Sequence, residues 1–295
     1  MEQYPANFSS DTSLDDLPYI SEKHKEHNPI KVLRPISGGH LLNGKRKIYK
    51  FLGFDSFRLT LKSGLQFSEP KIWPDKFERR FYNADYSLLG NLKEKLPRQV
   101  YACCMALEGY SESAWKNYVG TGEICVRITI NRNKFLKALK QWVKTNTEYT
   151  GYEGKVLYRP RFIIANVHKR NIQATRNIYA AVFGKSQFSL DDFLSLLLLK
   201  RVDFEHEKEV RYFLVPETEE KNLLHNKLYV EFTDSEWNDI IEQIVLVDPC
   251  NSNGISYKVF EECRNKILSE FPYLMEDKIV CYDPYDDDVN IVILP

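Results

Sequence analysis

Leu199-Lys200-Arg201-Val202-Asp203-Phe204-Glu205-His206-Glu207-Lys208-Glu209-Val210-Arg211-Tyr212-Phe213-Leu214-Val215 alternates in charge with a period of two, and the way this run folds decides what can surround it. Read as one extended strand, it projects Glu205, Glu207, Glu209 and Arg211 from one face. Phe204, Val210, Tyr212 and Leu214 share the other face with His206 and Lys208. Three carboxylates in file repel one another. Such a row persists when water solvates it, or when cations, hydrogen-bond donors or a ligand offset the repulsion. The run therefore reads either as a solvated edge strand, whose charges discourage edge-to-edge pairing, or as a strand that grips a ligand.

Composition narrows the setting. The chain has 295 residues, 43% of them hydrophobic, enough to bury a substantial core. The 41 Lys plus Arg balance 41 Asp plus Glu, so bulk charge does not hold nucleic acid or an anionic membrane. Cys103, Cys104, Cys125, Cys250, Cys263 and Cys281 form neither a CxxC pair nor a zinc spacing and read as reduced thiols. The polar, acidic start MEQYPANFSSDTSLDDLPY lacks the features of an export signal. The aliphatic run Leu196–Leu199 falls far short of the ~20 residues of a membrane span. A cytoplasmic protein without membrane association is expected.

Residues 1–44, rich in Ser, Asp, Lys, His and Pro, read as a polar, flexible N-terminal extension, and residues 45–295 as the folded domain. Within the domain, Ile48–Leu52, Leu65–Ser68, Tyr101–Ala106, Glu123–Ile130 and Gly154–Tyr158 read as strands. So do Tyr229–Phe232, Ile244–Val247, Ile279–Tyr282 and Val289–Leu294. Helical patterns cover Phe54–Lys62, Asn133–Lys144, much of Arg161–Lys200 and Ile255–Phe271, with another helix capped by Thr233 and Glu236. Ser189 and Asp192 make a capping signal for Leu190–Leu199. The alternation of types predicts a single α+β domain on a mixed sheet.

Glu207-x-Glu209 is the sharpest chemical candidate. Two carboxylates on one strand can address one pocket with separate tasks, one stabilising an oxocarbenium-like transition state and the other orienting or deprotonating an acceptor. Tyr49 and Lys50 on the first domain strand could hold a pyrophosphate, and Ser68 a ribose hydroxyl; their plain structural roles are surface residues and a turn cap. Pro70–Glu78, with Trp73, Pro74, Asp75 and Phe77, reads as a loop over a pocket or as a buried aromatic turn. Trp115 and Tyr118, flanking Lys116 in a short helical turn, offer a ring for stacking or simply pack in the core. Asp286-Asp287-Asp288 reads as a solvated turn because it lacks the periodicity of a calcium loop. His206 has no companion at metal spacing. No metal site is expected, although a metal-dependent nuclease using Glu205, Glu207 and Glu209 is a third possibility. The ~7 Å between alternate strand residues weighs against it.

Taken in order, Ile48-Tyr49-Lys50-Phe51, Gly64 to Pro70, Asp75 to Glu78, Cys104, Trp115 to Tyr118, Gly122 to Val126, Val156-Leu157-Tyr158, Lys200 and Glu205 to Arg211 resemble a bacterial family catalogued as domain of unknown function number two-nine-seven-one. The resemblance runs over residues 48–270 and implies a setting among mobile elements and anti-phage loci. Pro74-Asp75-Lys76-Phe77-Glu78 stands where that family usually has Asn-Asp-Pro-Phe-Glu, and the histidine usual after the tryptophan–tyrosine turn is missing, with Thr121 in that region. A first-strand polar residue, a second-strand serine and a late ExE are also similar to the three-part signature of the ADP-ribosyltransferase superfamily. That likeness implies NAD as substrate. It also implies that Glu209 holds the nicotinamide ribose, Glu207 shapes acceptor choice, Ser68 supports the ribose, and Tyr49 or Lys50 replaces the usual histidine or arginine. Arg211, Trp115 and Tyr118 complete the expected ligand contacts. The expectation is a toxin or anti-phage effector that modifies a macromolecule. Its rival is a non-catalytic defence sensor or antitoxin-like partner that binds nucleotide, RNA or a phage protein.

Overall fold

The computed structural model describes residues 33–35, 44–83, 99–109, 124–159, 189–217, 226–248 and 255–281. The strands are β1 (Leu33–Pro35), β2 (Lys47–Gly53), β3 (Leu65–Ser68), β4 (Tyr101–Ala106), β5 (Cys125–Asn131) and β6 (Tyr149–Lys155), then β7 (Leu157–Arg159), β8 (Leu199–Arg201), β9 (Glu209–Pro216), β10 (Lys227–Val230), β11 (Ile241–Val247) and β12 (Ile279–Cys281). The helices are α1 (Phe54–Ser63), α2 (Lys76–Tyr82), α3 (Arg132–Thr145), α4 (Leu190–Leu196), α5 (Asp234–Ile240) and α6 (Tyr257–Glu270).

Ten strands form one mixed sheet in the order β1-β6-β9-β4-β2-β5-β11-β12, with β3 joining β4 and β10 joining β3; β7 and β8 make a separate parallel pair. The expected α+β domain on a mixed sheet is thus observed. Residues 33–35, assigned from sequence to the flexible extension, pair antiparallel with β6 and form one edge of the sheet. No described helix is long and apolar enough to cross a membrane.

Alternate residues of β2, β4, β5 and β9 bury Ile48, Cys103, Ile128 and Tyr212 in the larger core, with Phe135 and Leu139 of α3, Trp237 of α5 and Phe260 of α6. The other face meets α4, where Phe193, Leu194 and Leu197 to Leu199 pack with Trp73, Ala102 and Phe213. Ser189 and Asp192 close a reciprocal capping box on α4, as Thr233 and Glu236 do on α5.

The expected helix to Leu199 stops at Leu196, and Leu199 already belongs to β8. The expected strand Gly154–Tyr158 is two strands, because Val156 turns its N–H to the Glu209 carbonyl at 3.1 Å and the chain leaves β6 for β7. The expected features at 113–118, 161–188 and 286–294 lie outside the described residues.

β4 forks the sheet. It meets β2 through the single pair Tyr49↔Ala106 and β3 through Ser68↔Ala102. β2 meanwhile follows β5 over seven residues. The Cys104 carbonyl, facing this opening, accepts from the Lys50 ammonium at 2.9 Å.

Candidate functional site

The run that opens the sequence reading is not one strand. It passes from β8 into a 3₁₀ segment, Val202–Glu207, turns at Lys208 in the left-handed region (φ 44°, ψ 53°), and enters β9 at Glu209. β9 lies between β4 and β6 and is buried along its whole length, which overturns the edge-strand alternative. The period-two assignment of faces also fails upstream of Glu209. Glu205 is exposed and lies 3.7 Å from the Lys208 ammonium, while Phe204 lines the same cleft as Glu207 and Glu209. A 3₁₀ turn advances side chains by about 120° per residue, so strand parity does not survive it.

The cleft has a volume of about 810 Å³ and opens at the fork, within the range of ligand pockets. β3 lends Gln66 and Ser68, β4 lends Ala102 and Cys104, β9 lends Glu209 and Arg211, and Lys50 reaches in from β2. Trp73, Pro74, Asp75 and Glu78 wall one side, so residues 70–78 border a pocket, as one of the two readings expects, while Trp73 is also buried in the α4 core, as the other expects; the segment is a 3₁₀ turn leading into α2. There Asp75 caps α2 by accepting from the Phe77 N–H at 2.7 Å.

At its acidic end, Lys200 Nζ lies 2.6 Å from Glu207 Oε2, 3.2 Å from Glu209 Oε2 and 3.8 Å from Glu78 Oε1. One guanidinium nitrogen, Arg211 Nη2, donates to Glu78 Oε1 at 2.6 Å and to Glu209 Oε2 at 2.7 Å. Trp73 covers the Arg211 guanidinium at 4.4 Å, and the Leu197 carbonyl accepts from its Nη1. The Glu209 N–H donates to the Tyr158 hydroxyl at 2.8 Å. Nearby, Arg201 pairs with Asp75 at 3.0 Å and lies 4.6 Å from both the Phe77 and Phe204 rings.

These contacts pull the two carboxyls apart. Burial alone would raise Glu209, but Arg211 and Lys200 outweigh it and bring it down to about 2. Glu78 moves upward, because its burial outweighs the pull of the same two cations. Burial is likewise the main reason that the Cys104 thiol and the Tyr158 hydroxyl hold their protons far into the alkaline range. Lys200 keeps its charge despite burial, held by Glu209 and Glu78.

The structure brings Glu207, Glu209, Arg211, Lys50 and Ser68 to one cleft. Tyr49 is not among the cleft-lining residues. Adjacent strand residues face opposite ways, so with Lys50 turned to the cleft Tyr49 lies against Gly109 and 5.6 Å from the Arg127 guanidinium. Trp115 and Tyr118 lie outside the described residues. The nuclease arrangement is not formed either, since Lys200 lies between Glu207 and Glu209 while Glu205 is exposed. Among the described residues no group of three or more His, Cys, Asp or Glu is placed to hold a metal ion. Glu78 and Lys200 had no role assigned from the sequence; the available signal was that both stand in the stretches carrying the family resemblance, Lys200 at the point where the aliphatic run Leu196–Leu199 gives way to charge.

No protein-family model, no curated protein and no solved structure matches the chain.

Proposed function

We propose that the chain is an NAD-dependent ADP-ribosyltransferase-like enzyme that modifies a macromolecule, with the ADP-ribosyltransferase-like fold that its three-part signature implies. The carrying observation is Glu209: a carboxylate held ionised in the wall of a ligand-sized cleft that also takes in Ser68 and Lys50. In this reading the bond between ribose C1′ and the nicotinamide nitrogen breaks, and its electron pair leaves on nicotinamide. Glu209 stabilises the oxocarbenium ion that develops. Ser68 supports a ribose hydroxyl, Lys50 faces the pyrophosphate, and an acceptor nucleophile closes the new bond to C1′ as its proton passes to a carboxylate. The toxin or anti-phage setting, the bacterial source and the domain-of-unknown-function membership belong to the same proposal and rest on the sequence resemblance; a cytoplasmic location belongs to the proposal as well.

Incubating the full chain with NAD labelled in its adenylate half, together with cell extract, tests the reading. Label on protein, RNA or DNA that disappears with Glu209→Gln is the expected result. No label on any macromolecule, and no free ADP-ribose, overturns it.

The second reading is a binding protein that holds a nucleotide, RNA or protein partner without chemistry. The observation favouring it is that Glu209 Oε2 already accepts from both Lys200 and Arg211, an arrangement that a preformed binding cleft also needs. Under that reading Glu209→Gln leaves binding in place and there is no turnover to lose.

A further inference from the structure

Glu78 and Glu209 come from distant parts of the chain, α2 and β9, yet both accept from one nitrogen of Arg211. Lys200 stands nearest to Glu207 at 2.6 Å and farthest from Glu78 at 3.8 Å. Two buried carboxyls thus converge on one guanidinium with only a share of a second cation. Burying that excess negative charge is costly, and the cost raises the proton affinity of the carboxyl that the cations compensate least. Glu78, the carboxyl farther from Lys200, is that carboxyl, and burial moves it upward from its ordinary value. A second feature points to a ligand. The Arg211 Nε–H is buried in the cleft wall without an acceptor, so an occupant carrying a hydrogen-bond acceptor beside a positive centre completes both needs.

We propose that the Glu78–Arg211–Glu209 junction is a subsite for a cationic ring bearing a carbonyl, and that the ring's arrival favours the ionised form of Glu78. This rests on the transferase reading and extends it: the positive nicotinamide ring of NAD is the ligand class, and binding is proton-linked. The groups facing Glu78 are Arg211 and Glu209 on β9, Lys200 on β8, Glu207 at the end of the 3₁₀ segment and Cys104 on β4. Arg211 and Lys200 stay charged and Cys104 stays a thiol. Glu207 has Lys200 at 2.6 Å as its own counter-charge and Glu209 is already ionised, which leaves Glu78 as the group that exchanges its proton.

The probes are 1-methylnicotinamide, a cation, and nicotinamide, its neutral counterpart. They are titrated calorimetrically into the full chain in buffers of different ionisation heat and across pH. The expected result is release of close to one proton per cation bound on the acid side of the Glu78 transition. Affinity there should rise by up to about tenfold per pH unit, with no proton release for nicotinamide. Glu78→Gln should abolish the exchange, and the pH slope of the wild-type chain decides the matter even where that variant does not fold. Absence of cation binding, binding without proton exchange, or exchange that survives in a folded Glu78→Gln chain overturns the proposal. Proton-linked binding without NAD turnover leaves the subsite standing and removes the transferase reading; turnover without proton linkage does the reverse.

Discussion

Lys208 is the only non-glycine residue with positive φ among the described residues, and it sits between the two glutamates of the site. Its turn is what lets Glu207 and Glu209 share one ammonium, since residues two apart on a straight strand carry their side chains ~7 Å apart. The left-handed region costs a β-branched residue more than a lysine and costs glycine almost nothing. Lys208→Val should therefore lower stability by about 1–2 kcal/mol in urea unfolding, while Lys208→Gly stays near wild type. Equal stability of the two would remove the strain. The site carboxyls also set opposite pH dependences. Glu209 lies below its ordinary value, so its contribution is present above the ordinary carboxylate range and is lost as pH falls toward about 2. Glu78 lies above its ordinary value, so its contribution is present in acid and is lost as pH rises through its folded value. Urea unfolding at pH 3, pH 5 and pH 8 checks the signs: Glu78→Gln should shrink the loss on the alkaline side, and Glu209→Gln should flatten the limb between pH 5 and pH 3. Nothing in the sequence announces the turn, because lysine carries no left-handed signal, and strand parity misassigned Phe204 and Glu205 as a result.

Helix α3 begins on a buried arginine that ties it to the sheet. Arg132 grips Glu153 of β6 through Nε at 3.0 Å and Nη2 at 2.7 Å, and the Tyr212 hydroxyl of β9 donates to the same carboxylate at 3.0 Å. Glu153→Ala leaves that guanidinium buried without its partner and should cost about 3–5 kcal/mol. An Arg132→Met, Glu153→Met double change should cost less, and the order of their urea midpoints is the check. Between α1 and β3, Gly64 has φ 98°, and a Cβ there would stand 2.7 Å from the Val230 carbonyl oxygen. Gly64→Ala should therefore cost at least about 1 kcal/mol. At this scale much was legible. Capping pairs at Ser189/Asp192 and Thr233/Glu236, the helical spacing in α3 and the apolar strand runs each carry a local signal that the fold keeps. The end of α4 was not legible, because Leu196 to Leu199 is uniformly aliphatic and offers neither glycine nor proline as a stop.

Across the whole molecule, the fork at β4 makes the cleft. β3 replaces β2 beside β4 within a few residues, α1 bridges the two, and the opening admits Lys50 from one side and Glu209 with Arg211 from the other. Strand order is a property of long-range pairing, so the sequence predicted a mixed sheet without its order. For the same reason it showed Glu207, Glu209 and Ser68 as candidates while leaving Glu78 and Lys200 without a role, since Glu78 meets Arg211 across 133 positions of chain. The central claim is that this cleft uses Glu209 to cleave NAD, and the most direct measurement is nicotinamide release from NAD by the purified full chain. The account predicts steady release by wild type and a loss of at least about 100-fold with Glu209→Gln, with NAD affinity retained. Equal release by the two proteins, or none by wild type with its acceptor present, would contradict it.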